Sequence, residues 1–111
     1  MNQSEIKKLI SIELLEEMCF ENLHGITKSN INDFLVEPVK KRFLNPLENT
    51  IDVYWVVFDE NKNDPKQGYL IFYSEKDTGF GLATKTTLKK TEDIGTFIGV
   101  YGSFINTISS M

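Results

Sequence analysis

Three groupings of residues in this chain have types and spacings that could do chemistry. The first is "GVYGSF", Gly99 to Phe104, which with Gly95 could pass for a phosphate-cradling loop. A loop of the Walker kind needs a lysine directly after its final glycine, and here Ser103 stands in that place. The stretch therefore reads as punctuation: Gly102 lets the chain turn and Ser103 is an N-cap for a short helix.

The second grouping is Asp59-Glu60-Asn61-Lys62-Asn63-Asp64, whose first, third and fifth positions carry oxygen side chains as a calcium loop does. The glycine required at the sixth position is Asp64, and Leu70 occupies the place of the bidentate glutamate. A solvated hairpin loop is expected, and no metal. The third grouping is Cys19 with His24, the only cysteine and the only histidine. Five residues apart, they do not share a helix face, so Cys19 reads as a small buried hydrophobe rather than a nucleophile. Glu16-Glu17 and Glu92-Asp93 are adjacent pairs that diverge on a helix or strand and lack the apolar setting that raises a carboxyl pKa. Neither catalytic residues nor a cofactor site is expected.

The elements that must carry these residues follow from periodicity. Ser4 opens a helix running to about Asn22, with Ile6, Leu9 and Ile10 on one face and Ile12, Leu15, Cys19 and Leu23 on another. Ser29 or Asn30 caps a short second helical turn. Leu35 to Leu44 is ambiguous: Leu35, Val39 and Phe43 have helical spacing, while Pro38 would remove an interior hydrogen bond and favours an edge strand.

Ile51–Asp59, Tyr69–Tyr73, Phe80–Lys85 and Thr96–Tyr101 read as strands. Glu60–Gln67 and Thr86–Asp93 read as loops, and a turn at Glu75–Gly79 gives Gly79 the left-handed conformation. Phe104, Ile105, Ile108 and Met111 mark a C-terminal helix. Short connections make neighbouring strands antiparallel. The expected fold is a single α+β domain over residues 1–111: an antiparallel four- to five-stranded meander sheet with an N-terminal helix and a short C-terminal helix packed on it.

Composition narrows the function classes. The chain has 111 residues, 41% apolar and 25% charged, which suits one globular core. A net charge of -4, a single arginine and only two short basic clusters, Lys40-Lys41-Arg42 and Lys89-Lys90, argue against nucleic acid as a partner. The longest apolar run, Val53–Phe58, falls far short of the roughly 20 residues that span a bilayer, so no membrane partner is expected. With one cysteine and no signal-peptide pattern, a cytoplasmic location is the default.

The strands are apolar on both faces. Ile51, Val53, Trp55 and Val57 alternate with Tyr54, Val56 and Phe58, and Leu70 and Phe72 alternate with Tyr69, Ile71 and Tyr73. Two readings stand. Either a helix or the Leu35–Leu44 segment covers each face, or an aromatic patch around Tyr54, Phe58 and Phe72 stays exposed and binds a protein partner or a second copy of the chain. In the second reading Asp59, Glu60 and Asp64 form an acidic rim suited to a basic partner. An alternative function is a small-molecule-binding or minor enzymatic domain with an aromatic pocket between sheet and helices.

The stretches "LVEP" (35–38), "YWVVFDE" (54–60), "GYLIFYSE" (68–75), "GFGLAT" (79–84) and "GVYGSF" (99–104) resemble a family of small bacterial proteins. Some of its members resemble the immunity proteins of interbacterial toxin systems. The likeness covers roughly residues 35–111 and brings no catalytic residues with it. It implies an acidic, non-enzymatic inhibitor that sits on a toxin, and a basic toxin domain is the partner that the negative charge would suit.

Overall fold

The structure is a computed structural model that describes residues 1–16, 24–64, 66–85 and 95–111. Its elements run α1 (Gln3–Glu16), a 3-10 turn (Ile31–Asp33), β1 (Leu35–Asn45), β2 (Thr50–Asp59), β3 (Tyr69–Ser74), β4 (Gly79–Thr84), β5 (Gly95–Gly102) and α2 (Phe104–Ser109). The α+β class, the two helices and a five-stranded sheet match the expectation. The plain antiparallel meander does not. Strands β1 to β5 pair antiparallel in sequence order, and β1 then meets β5 in parallel at Phe43–Gly95 and Leu44–Thr96, which closes a barrel.

Closure has a physical reason in the two-sided pattern of the strands. A flat sheet needs a cover for each face; a sheet that curls lets one face cover itself. Phe43, Tyr54, Val56, Leu70, Phe72 and Ala83 form that inner core, with Val36 and Phe97 packed against it. The Tyr54 and Phe72 rings stack at 4.3 Å, with Phe43 and Phe97 about them at 5.7–6.0 Å. Glycines make room for these rings. A Cβ on Gly81 would stand 2.5 Å from Cζ of Phe72, and one on Gly95 would stand 2.6 Å from Cε1 of Phe43.

The outer face of β2, β3 and β4 carries the second core. Val57, Phe58, Ile71, Tyr73, Phe80 and Leu82 are covered by Ile6 and Ile10 of α1, Ile26 and Ile31, and Phe104 and Ile108 of α2. The reading that left Tyr54, Phe58 and Phe72 exposed is therefore corrected, because all three rings are buried. Phe58 is moreover on the opposite face from Tyr54. The β2–β3 register shifts between Val56 and Phe58, and this bulge turns Phe58 outward onto Ile71, Phe34 and Phe104.

Local signals explain the ends of the elements. Asn2, not Ser4, caps α1: its Oδ1 accepts from the Glu5 amide at 2.9 Å and its own amide donates to Glu5 Oε1 at 3.2 Å. Ile6 and Ile10 are buried while Ile12 and Leu15 are exposed; Cys19 and Leu23 lie outside the described residues. Asn30 precedes the 3-10 turn and binds Thr27 and Gly25 instead of capping it. β1 is a strand, and its proline sits where the pairing with β2 is irregular between Leu35 and Val39. At the β3–β4 turn Thr78, rather than Gly79, takes the positive φ. Ser103 does cap α2, accepting from the Asn106 amide at 3.0 Å. The first amides of α2 have a further partner: Phe104 and Ile105 donate to the Glu13 carboxylate at 3.0 and 3.1 Å.

Candidate functional site

Asp59, Glu60 and Asp64, expected as an acidic rim, lie at the end of β2 and in the loop that follows it, where they bind groups of the same chain. Lys85, just past β4, is buried, and its ammonium donates to Asp59 Oδ1 at 2.6 Å, to the Asn61 carbonyl at 2.5 Å and to the Asp64 carbonyl at 2.6 Å. An internal ammonium thus lies among the oxygens of the calcium-like loop. The Asp64 side chain accepts from the Lys66 and Gln67 amides, at 2.8 and 3.3 Å. Glu60 accepts from the Tyr69 amide at 2.9 Å through Oε1, while Oε2 pairs with His24 Nδ1. Lys85 joins Asp59 to the Asp64 carbonyl, while Glu60 is tied to His24 and Tyr69, so the three residues serve as the framework of a loop.

Beside this loop is a cavity of about 190 Å³ lined by Lys41, Phe43, Asp59, Lys62, Asp64, Leu70, Lys85 and Gly95. It is smaller than the roughly 300–1,000 Å³ usual for small-molecule sites. A second hollow of about 240 Å³ runs between α1 and β1, past Ile10, Leu14, Leu35 and Val57. Under α2 the space is occupied by rings, with Phe104 edge-on to Phe58 at 6.5 Å and to Phe80 at 5.5 Å. Cys19, Glu17, Lys89-Lys90 and Glu92-Asp93 lie outside the described residues.

Among the described strand residues the most exposed apolar side chains lie on the outward face of the β1–β2 hairpin. Ile51 is 53% exposed, Val53 57% and Leu47, in the hairpin turn, 88%. Directly opposed residues of an antiparallel pair share a face. Ile51 faces Leu44, Val53 faces Arg42 and Trp55 faces Lys40, so the apolar row has a basic border. The Lys40 ammonium lies 5.1 Å from the centre of the Trp55 ring, and the indole N–H donates to Glu75 Oε1 at 2.8 Å. That bond, more than any other influence, holds the Glu75 carboxyl below its usual pKa. Trp55 is thus held between the Lys40 ammonium and the Glu75 carboxylate.

The alternation Ile51-Val53-Trp55 was visible in the sequence. What selected this face over the one through Tyr54 was not, since it depends on which side of the curled sheet became the inside. Within the barrel, burial is the main cause that pushes the Tyr54 phenol up to about pKa 12, with the nearby Asp52, Asp77 and Glu48 charges adding to it. Among the described residues no group of three or more acidic, histidine or cysteine side chains is placed to hold a metal ion, and no helix is long and apolar enough to cross a membrane. Comparison with known proteins finds no matching family model, no matching curated protein and no matching solved structure.

Proposed function

We propose that this chain is a protein-binding module without catalytic chemistry of its own, an immunity-type inhibitor that blocks a toxin by seating the outward face of the β1–β2 hairpin on it. One observation carries the reading: Ile51 and Val53 stand more than half exposed in a row that neither core absorbs, beside Lys40 and Arg42 on the facing strand. Apolar side chains bordered by charge are the usual anatomy of a recognition surface. The family resemblance in residues 35–111 supplies the inhibitor part of the proposal.

The partner's chemistry differs from the one the acidic composition suggested. Asp59, Glu60 and Asp64 belong to the β2–β3 loop, away from this face, and the charges that border the apolar row are Arg42 and Lys40, the latter over the Trp55 ring. The complementary surface is therefore apolar with an acidic margin, carried by a toxin whose overall charge is free to differ.

The test is co-expression with the protein encoded beside it, scored by growth and by titration calorimetry. The wild type is expected to bind that protein and relieve its toxicity. Val53→Asp is expected to weaken binding at least tenfold, about 1.4 kcal/mol, by placing a charge in the contact, with no change in melting temperature. Absence of binding by the wild type would sink the inhibitor reading; undiminished binding by a folded Val53→Asp would place the contact elsewhere.

A further inference from the structure

The basic cluster Lys40-Lys41-Arg42 is split by the sheet. Lys40 and Arg42 stand on the outward face of β1, while Lys41 is opposed to Tyr54 and so shares the inner face with Phe43. There it lines the cavity of about 190 Å³ whose apolar wall is Phe43 and Leu70, both almost wholly buried, with Gly95 beside them. A space of that size is too small for a nucleotide or a sugar chain and large enough for one ring, since an apolar cavity of about 150 Å³ takes up benzene.

The charges around the cavity are unevenly matched. Lys41, Lys62 and Lys85 line it together with Asp59 and Asp64. Both carboxylates are already served by the chain: Asp59 Oδ1 accepts from the Asn61 amide at 3.0 Å and from Lys85, and Asp64 Oδ1 accepts from the Lys66 and Gln67 amides. Lys85, whose side chain is 7% exposed, directs its ammonium to Asp59 and two carbonyls. Lys62 Nζ donates to the Leu35 carbonyl at 2.9 Å, and among the described residues neither it nor Lys41 Nζ meets a carboxylate. Two ammonium groups therefore stand beside an apolar wall without an anion of the chain's own, in a molecule whose net charge is -4.

We propose that this cavity binds a small organic anion, a monocarboxylate with an apolar body about one ring in size, Lys41 and Lys62 taking the carboxylate and Phe43 and Leu70 the body. A neutral ring leaves both ammonium groups unused, and a bare inorganic anion leaves the apolar wall wet. A second negative charge on the ligand would be turned toward Asp59 and Asp64. Phe43 and Gly95 are also a pair of the β1–β5 joint, so the ligand rests against the seam that closes the barrel and stabilises the closed form by its binding free energy.

Sodium benzoate is the probe, titrated to about 50 mM against the labelled protein by two-dimensional NMR, with chloride exchanged for benzoate so that ionic strength is constant. Saturable shifts are expected at residues 41–43, 62–64 and 70, with a dissociation constant of about 1 mM and a raised melting temperature. Acetate, the charge without the ring, and benzyl alcohol, the ring without the charge, are each expected to bind about tenfold more weakly or worse. Lys41→Gln is expected to weaken benzoate by about tenfold and leave benzyl alcohol unchanged, a split that a merely structural lysine would not produce. Val53→Asp, on the hairpin face, is expected to leave benzoate binding unchanged, which separates this site from the toxin contact. No saturation by about 50 mM would overturn the proposal. So would acetate or benzyl alcohol binding as tightly as benzoate, or a Lys41→Gln that weakens both ring ligands alike. Should that variant unfold, the three probes on the wild type decide.

Discussion

Lys85 closes the loop between β2 and β3 from a position far along the chain, and its three oxygen partners leave its ammonium no need of water. Removing one partner from such a buried pair leaves the other desolvated and uncompensated. Lys85→Met, which keeps the bulk of the stem, is expected to destabilise the fold by about 2–4 kcal/mol, discounted because Asp59 keeps some exposure. Urea denaturation measures it, and an unchanged midpoint would show that the bridge contributes nothing. The sequence placed oxygens at alternate positions of this loop, and the missing glycine argued against calcium. It offered no sign of the ammonium, because nothing local links Lys85 to Asp59. Legibility fails wherever a residue's partner is chosen by tertiary approach.

At the scale of elements β2 to β5 were readable to within a residue or two, while the helical spacing of Leu35, Val39 and Phe43 left β1 ambiguous. β2 was expected at 51–59 and spans Thr50–Asp59; β4 was expected from Phe80 and begins at Gly79. Alternation was strong enough to locate each strand and too even to orient it. Val56 and Val57 are both apolar, so the bulge that reverses Phe58 left no trace in the pattern. The parallel joint to β5, two residue pairs among the described residues, is shorter than any periodicity can report.

Glycine placement at the barrel wall gives a sharper test. Ala for Gly usually stabilises a chain by restricting its unfolded state, by about 0.4–1 kcal/mol. At Gly81 the added Cβ meets the carbonyl of Gly99 and the edge of Phe72, both fixed by the sheet and the inner rings. Gly81→Ala is therefore expected to destabilise by about 1–3 kcal/mol. Chemical denaturation reads the sign directly; an increase in stability would mean that the inner core yields more easily than its ring packing implies.

For the whole molecule, enclosure of aromatic residues links stability to alkaline pH. Tyr54 keeps its proton to about pH 12 in the folded chain, chiefly through burial, whereas an unfolded tyrosine releases it near 10. The linked stability is complete below pH 10. It falls between 10 and 12, where the unfolded state binds fewer protons than the native one, by on the order of 2 kcal/mol. Burial raises the Tyr73 phenol as well, so part of the loss belongs to it. Tyr54→Phe should flatten the decline of melting temperature over that interval, and a decline as steep as the wild type's would assign it to other groups.

The bond from Glu13 to the first turn of α2 ties the opening helix to the closing one. At six residues α2 is too short to persist in water by itself. It keeps its shape by packing on β4, β5 and α1, and α1 in turn is seated on a surface that Phe104 and Ile108 help to build. Loosening either helix removes part of the other's support, so hydrogen exchange is expected to report α1 and α2 opening together, ahead of the strands that enclose the inner rings.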